Sequence, residues 1–202
     1  MTSIVLATSN QGKIRELAAL LKNFDLNVKG LKDFPDIGPI EETGATFFEN
    51  ARIKAQAVSQ ALGVAAIADD SGLVVDALDG APGVRSARYS GPNATDESNN
   101  AKLLRELAGV PEQRRTARFV CSMVAMAPSG ASIEAEGKWE GRIASSLCGD
   151  GGFGYDPLFF LPERNMTSAQ LSREEKNRLS HRGQALRRLL ELWPEFQKQL
   201  DD

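Results

Sequence analysis

Residues 64–75 read VAAIADDSGLVV, and the arrangement of the chain follows from them. Val64 to Ala68 are apolar and predict a short buried strand, and Leu73-Val74-Val75 resume β character. Asp69-Asp70-Ser71-Gly72 consists of turn-forming residues, which predict a polar turn between two strands. Adjacent residues of an extended chain point to opposite sides, so we expect only one of the two aspartates to face a shared site.

The segment before this stretch predicts a strand, a turn and a helix. Ile4 to Ala7 are apolar, as in a buried strand, and the polar turn Thr8 to Gly12 leads into a helix. The apolar positions that this helix would bury are Ile14, Leu17, Ala18 and Leu21. Leu26 to Leu31 fit a second strand.

Capping signals mark further helices. Thr46 and Glu49 form a capping-box pattern that opens a helix to about Leu62, and Gly63 stops it. A second helix is predicted from Thr95 to about Leu107. The last quarter is helical from the capping box at Ser172 onward, and Pro194 is expected to break or kink it. Its apolar stripe comprises Leu186, Leu189, Leu190 and Trp193.

Two longer β segments complete the pattern. Arg118 to Ala127 and Ser132 to Ile143 are predicted to form antiparallel strands joined through Pro128-Ser129-Gly130. Strands and helices alternate without a repeating βα period. The sequence therefore predicts an α/β architecture with a mixed sheet, and it argues against a TIM barrel.

Composition excludes several classes of protein. The 202 residues suit a single domain over 1–202, and 24 basic against 27 acidic residues give a net charge of −3. That balance argues against a broad electropositive surface, so we expect no nucleic-acid partner. Neither a signal peptide nor an apolar run of ~18 residues is present, which predicts a cytoplasmic protein without a membrane partner.

Three clusters suit a phosphate and a metal ion. Thr8-Ser9-Asn10-Gln11-Gly12-Lys13 stands where a helix begins, so backbone amides and Lys13 could bind a phosphate there, although an ordinary strand-to-helix connection also fits. The spacing matches neither a P-loop nor a dinucleotide motif. Carboxylates of Glu41-Glu42 and Asp69-Asp70 suit Mg²⁺, and solvated turns are the alternative.

Two later clusters suit a purine nucleotide. Cys148 to Pro157 combine four glycines, two aromatic rings and acids, which fits a base pocket or a loop with core-packed aromatics. Lys176 and Ser180 to Gln184 could bind a polyphosphate, or form a solvated basic helix face with a surface histidine. Lys54, at the edge of an apolar stripe, either snorkels or reaches into a cleft.

Taken together, six motifs resemble the inosine triphosphate pyrophosphatase family in its bacterial dITP/XTP pyrophosphatase type. These motifs run from the first strand to the last long helix and cover nearly the whole chain. They are Thr8-Ser9-Asn10-Gln11-Gly12-Lys13, Glu41 to Ala51, Ile67 to Leu73, Ser86-Ala87-Arg88-Tyr89, Gly152 to Pro157, and Ser180-His181-Arg182.

The resemblance implies a fold and an activity. The fold is α/β, with an elongated mixed β-sheet flanked by helices in two lobes with a central cleft. The activity is that of a homodimeric, Mg²⁺-dependent cytoplasmic enzyme. Its substrates would be purine nucleoside triphosphates such as ITP, dITP and XTP, and its products the monophosphate and pyrophosphate.

The resemblance also implies residue roles. Asp70 would be the general base on the water that attacks the α-phosphorus, and Glu42 and Asp70 would hold the metal. Thr8, Asn10 and Lys13 would hold the triphosphate, with Lys54 and Lys176 assisting. The full implied substrate-binding set is Thr8, Ser9, Asn10, Gln11, Gly12, Lys13, Lys54, Ser71, Phe153, Gly154, Tyr155, Asp156, Lys176, His181 and Arg182. Within this set, Phe153 would stack on the base, and Tyr155, Asp156, His181 and Arg182 would shape a pocket for a 6-oxo purine.

Other functions stay open on the residues alone. A nucleotide sensor without turnover could use the same pocket, and a related pyrophosphatase could act on pyrimidine or methylated nucleotides. A dinucleotide-dependent oxidoreductase is disfavoured because no G-x-G-x-x-G follows the first strand.

Overall fold

The computed structural model describes residues 2–8, 10, 12–14, 17 and 26–201. Its seven strands are β1 (Thr2–Leu6), β2 (Leu26–Gly30), β3 (Ala65–Val75), β4 (Thr116–Met126), β5 (Ser132–Ile143), β6 (Phe159–Leu161) and β7 (Met166–Thr167). The helices that are described over their full length are α1 (Phe47–Leu62), α2 (Asp96–Glu106), α3 (Arg173–Leu179) and α4 (His181–Asp201). Gly12 to Ile14 and Leu17 are also helical, whereas the predicted stripe positions Ala18 and Leu21 lie outside the described residues.

The seven strands form a mixed sheet. They hydrogen-bond in the order β2-β1-β3-β4-β5-β6-β7. Strand β1 runs parallel to both β2 and β3, whereas β6 runs antiparallel to β5 and β7. The predicted α/β class with a mixed sheet is confirmed.

Strand β3 corrects the predicted turn at Asp69-Asp70-Ser71-Gly72. The chain continues as one strand from Ala65 to Val75, and most of its residues are buried. Asp, Ser and Gly favour turns only as a local preference, and neighbouring strands can override such preferences. Here β3 pairs with β1, and both aspartates have cationic partners elsewhere in the chain. The prediction of two strands was therefore wrong.

The chain divides into two compact units. The first contains Met1–Asp70, Cys121–Gly137 and Arg182–Asp202, and the second contains Ser71–Val120 and Lys138–His181. The single domain, the two lobes and the cleft between them stay predictions.

Side chains point alternately to the two faces of the sheet, so the strands of the first unit contribute to two separate hydrophobic cores. One sheet face contributes Ile4, Leu6, Ala65 and Ile67 to a core with α4. The other face contributes Val5, Ala7, Ala66 and Ala68 to a core with α1. Helix α4 covers the first face with Ala185, Leu186, Leu189, Trp193 and Phe196, and α1 covers the second with Ala51, Ala55 and Val58.

The second unit has a more aromatic core. Phe119, Trp139, Tyr155 and Phe159 are buried in it together with Leu73, Val75 and the α2 residue Leu103. The Phe119 and Phe159 ring centroids are 4.5 Å apart. Such tilted aromatic pairs add favourable energy to the burial of their surface.

Local capping accounts for the helix ends. The Thr46 hydroxyl accepts a hydrogen bond from the Glu49 amide, the Glu49 carboxylate accepts from the Thr46 amide, and Gly63 is left-handed with φ 63°. These contacts confirm the predicted bounds of α1. Pro194 lies inside α4, which continues to Asp201, so the predicted break does not occur. None of the helices in the described part of the chain combines the length and apolar character needed to cross a membrane.

The apolar face of α4 allows a matched stability test. Leu189 is fully buried in the first unit, whereas Leu192 of the same helix is 40 % exposed. We expect Leu189→Ala to lower the free energy of unfolding by about 2–5 kcal/mol, because it leaves a cavity. Leu192→Ala should cost less than about 1 kcal/mol. Urea denaturation followed by circular dichroism measures both, and equal losses would contradict the assigned face.

Candidate active site

Asp69 and Asp70 lie on opposite faces of β3. Asp69 continues the series of Ala65 and Ile67, which face α4, and Asp70 continues the series of Ala66 and Ala68, which face α1. Both aspartates are buried. The alternative that they form a solvated turn is therefore wrong.

Around Asp70, the first unit gathers an acid, an amide and a lysine. Asn50 Nδ2 donates a hydrogen bond of 3.1 Å to Asp70 Oδ2. Lys54 Nζ lies 3.7 Å from Asp70 Oδ1 and 3.0 Å from Glu42 Oε1. Glu41 is exposed, so only Glu42 of the predicted acidic pair joins this cluster.

Helix α1 positions two of these side chains. Asn50 and Lys54 are four residues apart and therefore lie on one side of the helix. Asn50 Oδ1 also accepts a 2.8 Å hydrogen bond from the Gly44 amide, which holds the preceding loop against the helix. A Cβ atom at Gly44 would lie 2.6 Å from Glu49 Cβ and 2.7 Å from Asn50 Oδ1, so glycine is required there.

Burial has the largest effect on the pKa of Asp70. Burial raises the pKa of its carboxyl above the ordinary value, and repulsion from Glu42 adds to this, while Lys54 and the Asn50 amide oppose it. A carboxylate with a raised pKa is a stronger base than a solvent-exposed one. Such a carboxylate suits the role of a proton acceptor.

Glu42 and Asp70 form a donor set that suits a hard divalent cation. Both carboxylates lie near the same Lys54 ammonium. Within the described ranges, no cluster of three or more His, Cys, Asp or Glu side chains has metal-binding geometry. Two carboxylates suffice for Mg²⁺, which completes its shell with water and substrate phosphate oxygens.

Asp69 has the opposite electrostatic environment. Its Oδ2 lies 2.8 Å from Lys13 Nζ and 3.4 Å from Arg182 Nε. Burial by itself would raise the pKa of Asp69, but Lys13 and then Arg182 and Lys54 hold it well below its usual range. Asp69 is therefore a buried anion paired with cations from both ends of the chain.

Asn10 organises the turn before the first helical residues. Its side-chain Oδ1 accepts hydrogen bonds from the backbone amides of Gly12 (2.9 Å) and Lys13 (3.2 Å). The backbone amide of Asn10 donates to Thr8 Oγ1 at 3.2 Å. This is N-capping, which fixes where Lys13 leaves the backbone. The predicted site residues Ser9 and Gln11 lie outside the described residues.

In the second unit, Asp156 is the centre of a buried network. Its Oδ2 accepts from Lys176 Nζ at 2.6 Å and from the Phe153 amide at 2.8 Å, and its Oδ1 accepts from Ser168 Oγ at 2.8 Å. A Cβ atom at Gly152 would collide with the Asp156 carboxylate. The glycine-rich loop is thus shaped around this acid.

The same network orients the Phe153 ring. Lys176 Nζ lies 4.7 Å from the ring centroid, a cation–π distance. The Gly154 amide donates to Asp96 Oδ2 at 2.7 Å, which ties the loop to the start of α2. Phe153 itself is half-buried. A partly exposed ring held by its backbone suits stacking on a flat ligand.

Tyr155 and His181 are packed more deeply. The Tyr155 hydroxyl donates to the Ser86 carbonyl oxygen at 2.8 Å, and burial raises the pKa of Tyr155 above its usual value. His181 is buried, with its ring stacked 4.8 Å from that of Phe119. Lys176 and Arg182 are buried as well, so the alternative of a solvated basic face with a surface histidine is wrong for these three residues.

The structure therefore groups the predicted residues into clusters within each unit. Lys13 and Arg182 meet at Asp69, Glu42 and Lys54 meet at Asp70, and Phe153, Asp156 and Lys176 meet in the second unit. Ser71 is half-buried in β3, directly after Asp70. Asn50 and Ser168 join these clusters although no sequence motif assigned them a role. The four-residue spacing of Asn50 and Lys54 was a usable signal, whereas nothing local pointed to Ser168.

Comparisons with known proteins cover nearly the whole chain. Residues 4–192 match the Ham1 family. A dITP/XTP pyrophosphatase of Nitratidesulfovibrio vulgaris is 61 % identical over 200 residues, which cover 96 % of this chain and 97 % of that protein. One of Geobacillus kaustophilus is 54 % identical over 97 % of this chain and 96 % of its own length. The solved structure of a HAM1 protein from Coxiella burnetii superimposes with a TM-score of 0.89 at 43 % identity, covering 96 % of this chain and all of that one.

The raised pKa of Asp70 predicts that this side chain destabilises the folded protein near neutral pH. A carboxyl whose pKa is higher in the folded state binds its proton more tightly there, so stability is lost as pH rises through the folded pKa. Asp70→Asn removes the charge and keeps an acceptor for Asn50. We expect its melting temperature at pH 7.5, without divalent metal, to equal or exceed that of the wild type.

Calorimetry at pH 7.5 and near pH 4 measures this difference. The advantage of Asp70→Asn should shrink toward pH 4, where Asp70 of the wild type becomes protonated. A lower melting temperature for the variant at pH 7.5 would contradict the assigned environment.

Proposed function

Because the chain belongs to the Ham1 family, we propose that it hydrolyses non-canonical purine nucleoside triphosphates. Its substrates are ITP, dITP and XTP, and its products are the nucleoside monophosphate and pyrophosphate, so that it cleanses the nucleotide pool. The observation that carries this proposal is the pairing of two carboxylates, Glu42 and Asp70, around the Lys54 ammonium. That cluster combines a base, a metal-binding donor set and a phosphate-binding cation.

At the phosphate end, most of the proposed charged groups come from the first unit. Thr8, Asn10 and Lys13 bind the triphosphate in this proposal, and Lys54 and Lys176 assist. Ser9, Gln11 and Gly12 belong to the same binding loop, and Ser71 contacts the substrate. Cations of this kind offset negative charge on the transferred phosphoryl group.

Mg²⁺ is the proposed cofactor, held by Glu42 and Asp70. The raised pKa of Asp70 supports this, because a cation near the two acids would relieve their repulsion. When bound, Mg²⁺ neutralises charge on the phosphate oxygens. Asp70 accepts a proton from the water that attacks the α-phosphorus. The bond between the α-phosphorus and the oxygen that bridges it to the β-phosphorus breaks, and pyrophosphate leaves with that oxygen.

At the base end, Phe153 stacks on the purine. Gly154, Tyr155, Asp156, His181 and Arg182 shape the pocket for a 6-oxo base. Adenine carries an amino donor at C6, where hypoxanthine and xanthine carry an acceptor oxygen. Hydrogen-bond donors aimed at this position would face another donor in ATP. Both groups would then stay unpaired in a buried site, and the free-energy cost discriminates strongly against ATP.

The proposed enzyme is a homodimer that acts in the cytoplasm, without a nucleic-acid or membrane partner. The family resemblance supports the dimer, and the net charge of −3 is consistent with a small-molecule substrate. Light scattering tests the assembly, since a dimer has about twice the mass of the 21.9 kDa chain.

Substrate profiling tests the activity. Purified protein is incubated with ITP, XTP, GTP and ATP, with and without Mg²⁺, and pyrophosphate is assayed separately from orthophosphate. We expect pyrophosphate from ITP and XTP only, and only with the metal. Asp70→Asn should lower turnover ~10²–10⁴-fold, because it removes the base. Asp76→Asn is a control outside the proposed site.

Two outcomes would contradict the proposed reaction. Orthophosphate as the product would indicate cleavage of the terminal phosphate and a different metal position. Tight ITP binding without turnover would support the proposed binding site but not the hydrolysis, and it would favour a nucleotide sensor.

A second variant tests the stacking role of Phe153. Losing one aromatic platform costs ~1–3 kcal/mol of base binding, so Phe153→Ala should raise KM for ITP ~5- to 150-fold. Binding of inorganic tripolyphosphate, which has no base, should not change. Phe160→Ala, a half-buried phenylalanine outside the proposed site, is the control variant. An unchanged KM for Phe153→Ala would remove the ring from the base pocket.

A further inference from the structure

Asp69 has no role in the proposed reaction, although it is the most completely buried acid of the first unit's cluster. Its side chain is 0 % exposed, and it points away from the face of β3 that carries Asp70. The Asp70 face holds the proposed metal donors and Lys54. Asp69 therefore lies on the face of β3 opposite to the proposed metal donors.

The contacts of Asp69 join two distant parts of the chain. Lys13 follows the Asn10 cap near the N-terminus, and Arg182 lies at the start of α4, 113 positions after Asp69. One carboxylate oxygen, Oδ2, lies within 3.4 Å of a nitrogen of both side chains. Both cations are members of the proposed substrate-binding set.

Two cationic side chains that approach the same carboxylate oxygen repel each other unless an anion lies beside both. Lysine and arginine side chains lose much conformational freedom when they are held in one position, and their mutual repulsion opposes such an arrangement. The buried Asp69 carboxylate offsets both costs. Two cations and one anion also leave the cluster with a net charge of +1, which suits binding of an anionic substrate.

Resting on the proposed function, we propose that Asp69 is a positioning residue for substrate binding. It holds the Lys13 ammonium and the Arg182 guanidinium where they receive the nucleoside triphosphate. It contacts neither the metal nor the substrate. Its effect on the reaction therefore passes through Lys13 and Arg182, and this separates it from Asp70.

The first test compares Asp69→Asn with the wild type and with Asp76→Asn. Asp76 also pairs with an arginine, Arg118, but lies outside the proposed site. We expect Asp69→Asn to raise KM for XTP by at least ~10-fold, with kcat within ~3-fold and the Mg²⁺ concentration dependence unchanged. Asp76→Asn should change none of these. A merely structural role would lower the melting temperature and leave the KM of the folded fraction unaltered.

A double-mutant cycle tests whether Asp69 acts through Lys13. If it does, Asp69→Asn should raise KM less in a Lys13→Gln background than in the wild type, leaving only the part that passes through Arg182, so the two effects should not multiply. Calorimetric titration with inorganic tripolyphosphate, without metal, repeats the cycle independently of turnover and of the base. Independent, multiplicative effects in both measurements would overturn the proposal.

Other results are equally decisive. An unchanged KM and tripolyphosphate affinity in folded Asp69→Asn would overturn the proposal, and so would a shift in Mg²⁺ dependence like that of Asp70→Asn. If Asp69→Asn does not fold, Asp69→Glu keeps the charge but displaces the carboxylate by one methylene. It should still raise KM, and an unchanged value would exclude positioning. If the wild type releases no pyrophosphate, the proposed function fails, while the tripolyphosphate titrations still decide the role of Asp69.

Discussion

Two consecutive carboxylates are buried in strand β3. The cations and the amide that pair with their charges bring the polar side chains of the first unit together. An unpaired charge is costly to bury, so each aspartate requires partners from elsewhere in the fold. The alternation of side chains along a strand sends the two acids to different faces, and each face brings its own helix. Asp69 meets Lys13 and Arg182, and Asp70 meets Asn50 and Lys54 from α1. The polar cluster is therefore a direct consequence of how the sheet is covered.

The two acids differ in how fully their charges are compensated. Asp69 is held between two cations, and its pKa stays well below the ordinary range. Asp70 shares Lys54 with Glu42, and its pKa is raised. Removing one partner from a buried ion pair leaves an uncompensated charge, so losing Lys13 or Arg182 from the Asp69 cluster would be costly. An under-compensated acid is instead poised to take up a proton or a metal ion, and this is where the proposed chemistry belongs.

The second unit uses a buried acid in the same manner. Asp156 accepts hydrogen bonds from Lys176, Ser168 and the Phe153 amide, so its carboxylate fixes the path of the glycine-rich loop. Loops that bind ligands are better defined when side chains within them anchor the backbone. The half-buried Phe153 ring and the Lys176 ammonium are presented together as a result. Each unit thus holds some of the predicted residues around a buried aspartate that is paired with a cation.

The sequence by itself determined those features that depend on neighbouring residues. The ends of α1 follow from Thr46, Glu49 and Gly63, whose hydrogen bonds span only a few positions, and the apolar alternation of Ile4 to Ala7 follows from strand geometry. The motifs also indicated the family and most of the candidate residues. Only the tertiary structure decided that β3 runs straight through Asp69 to Gly72, that α4 continues past Pro194, and that Asn50 and Ser168 join the clusters. The physical reason is that burial and charge pairing across long separations outweigh local turn and helix preferences, and these long-range contacts cannot be read from one segment alone.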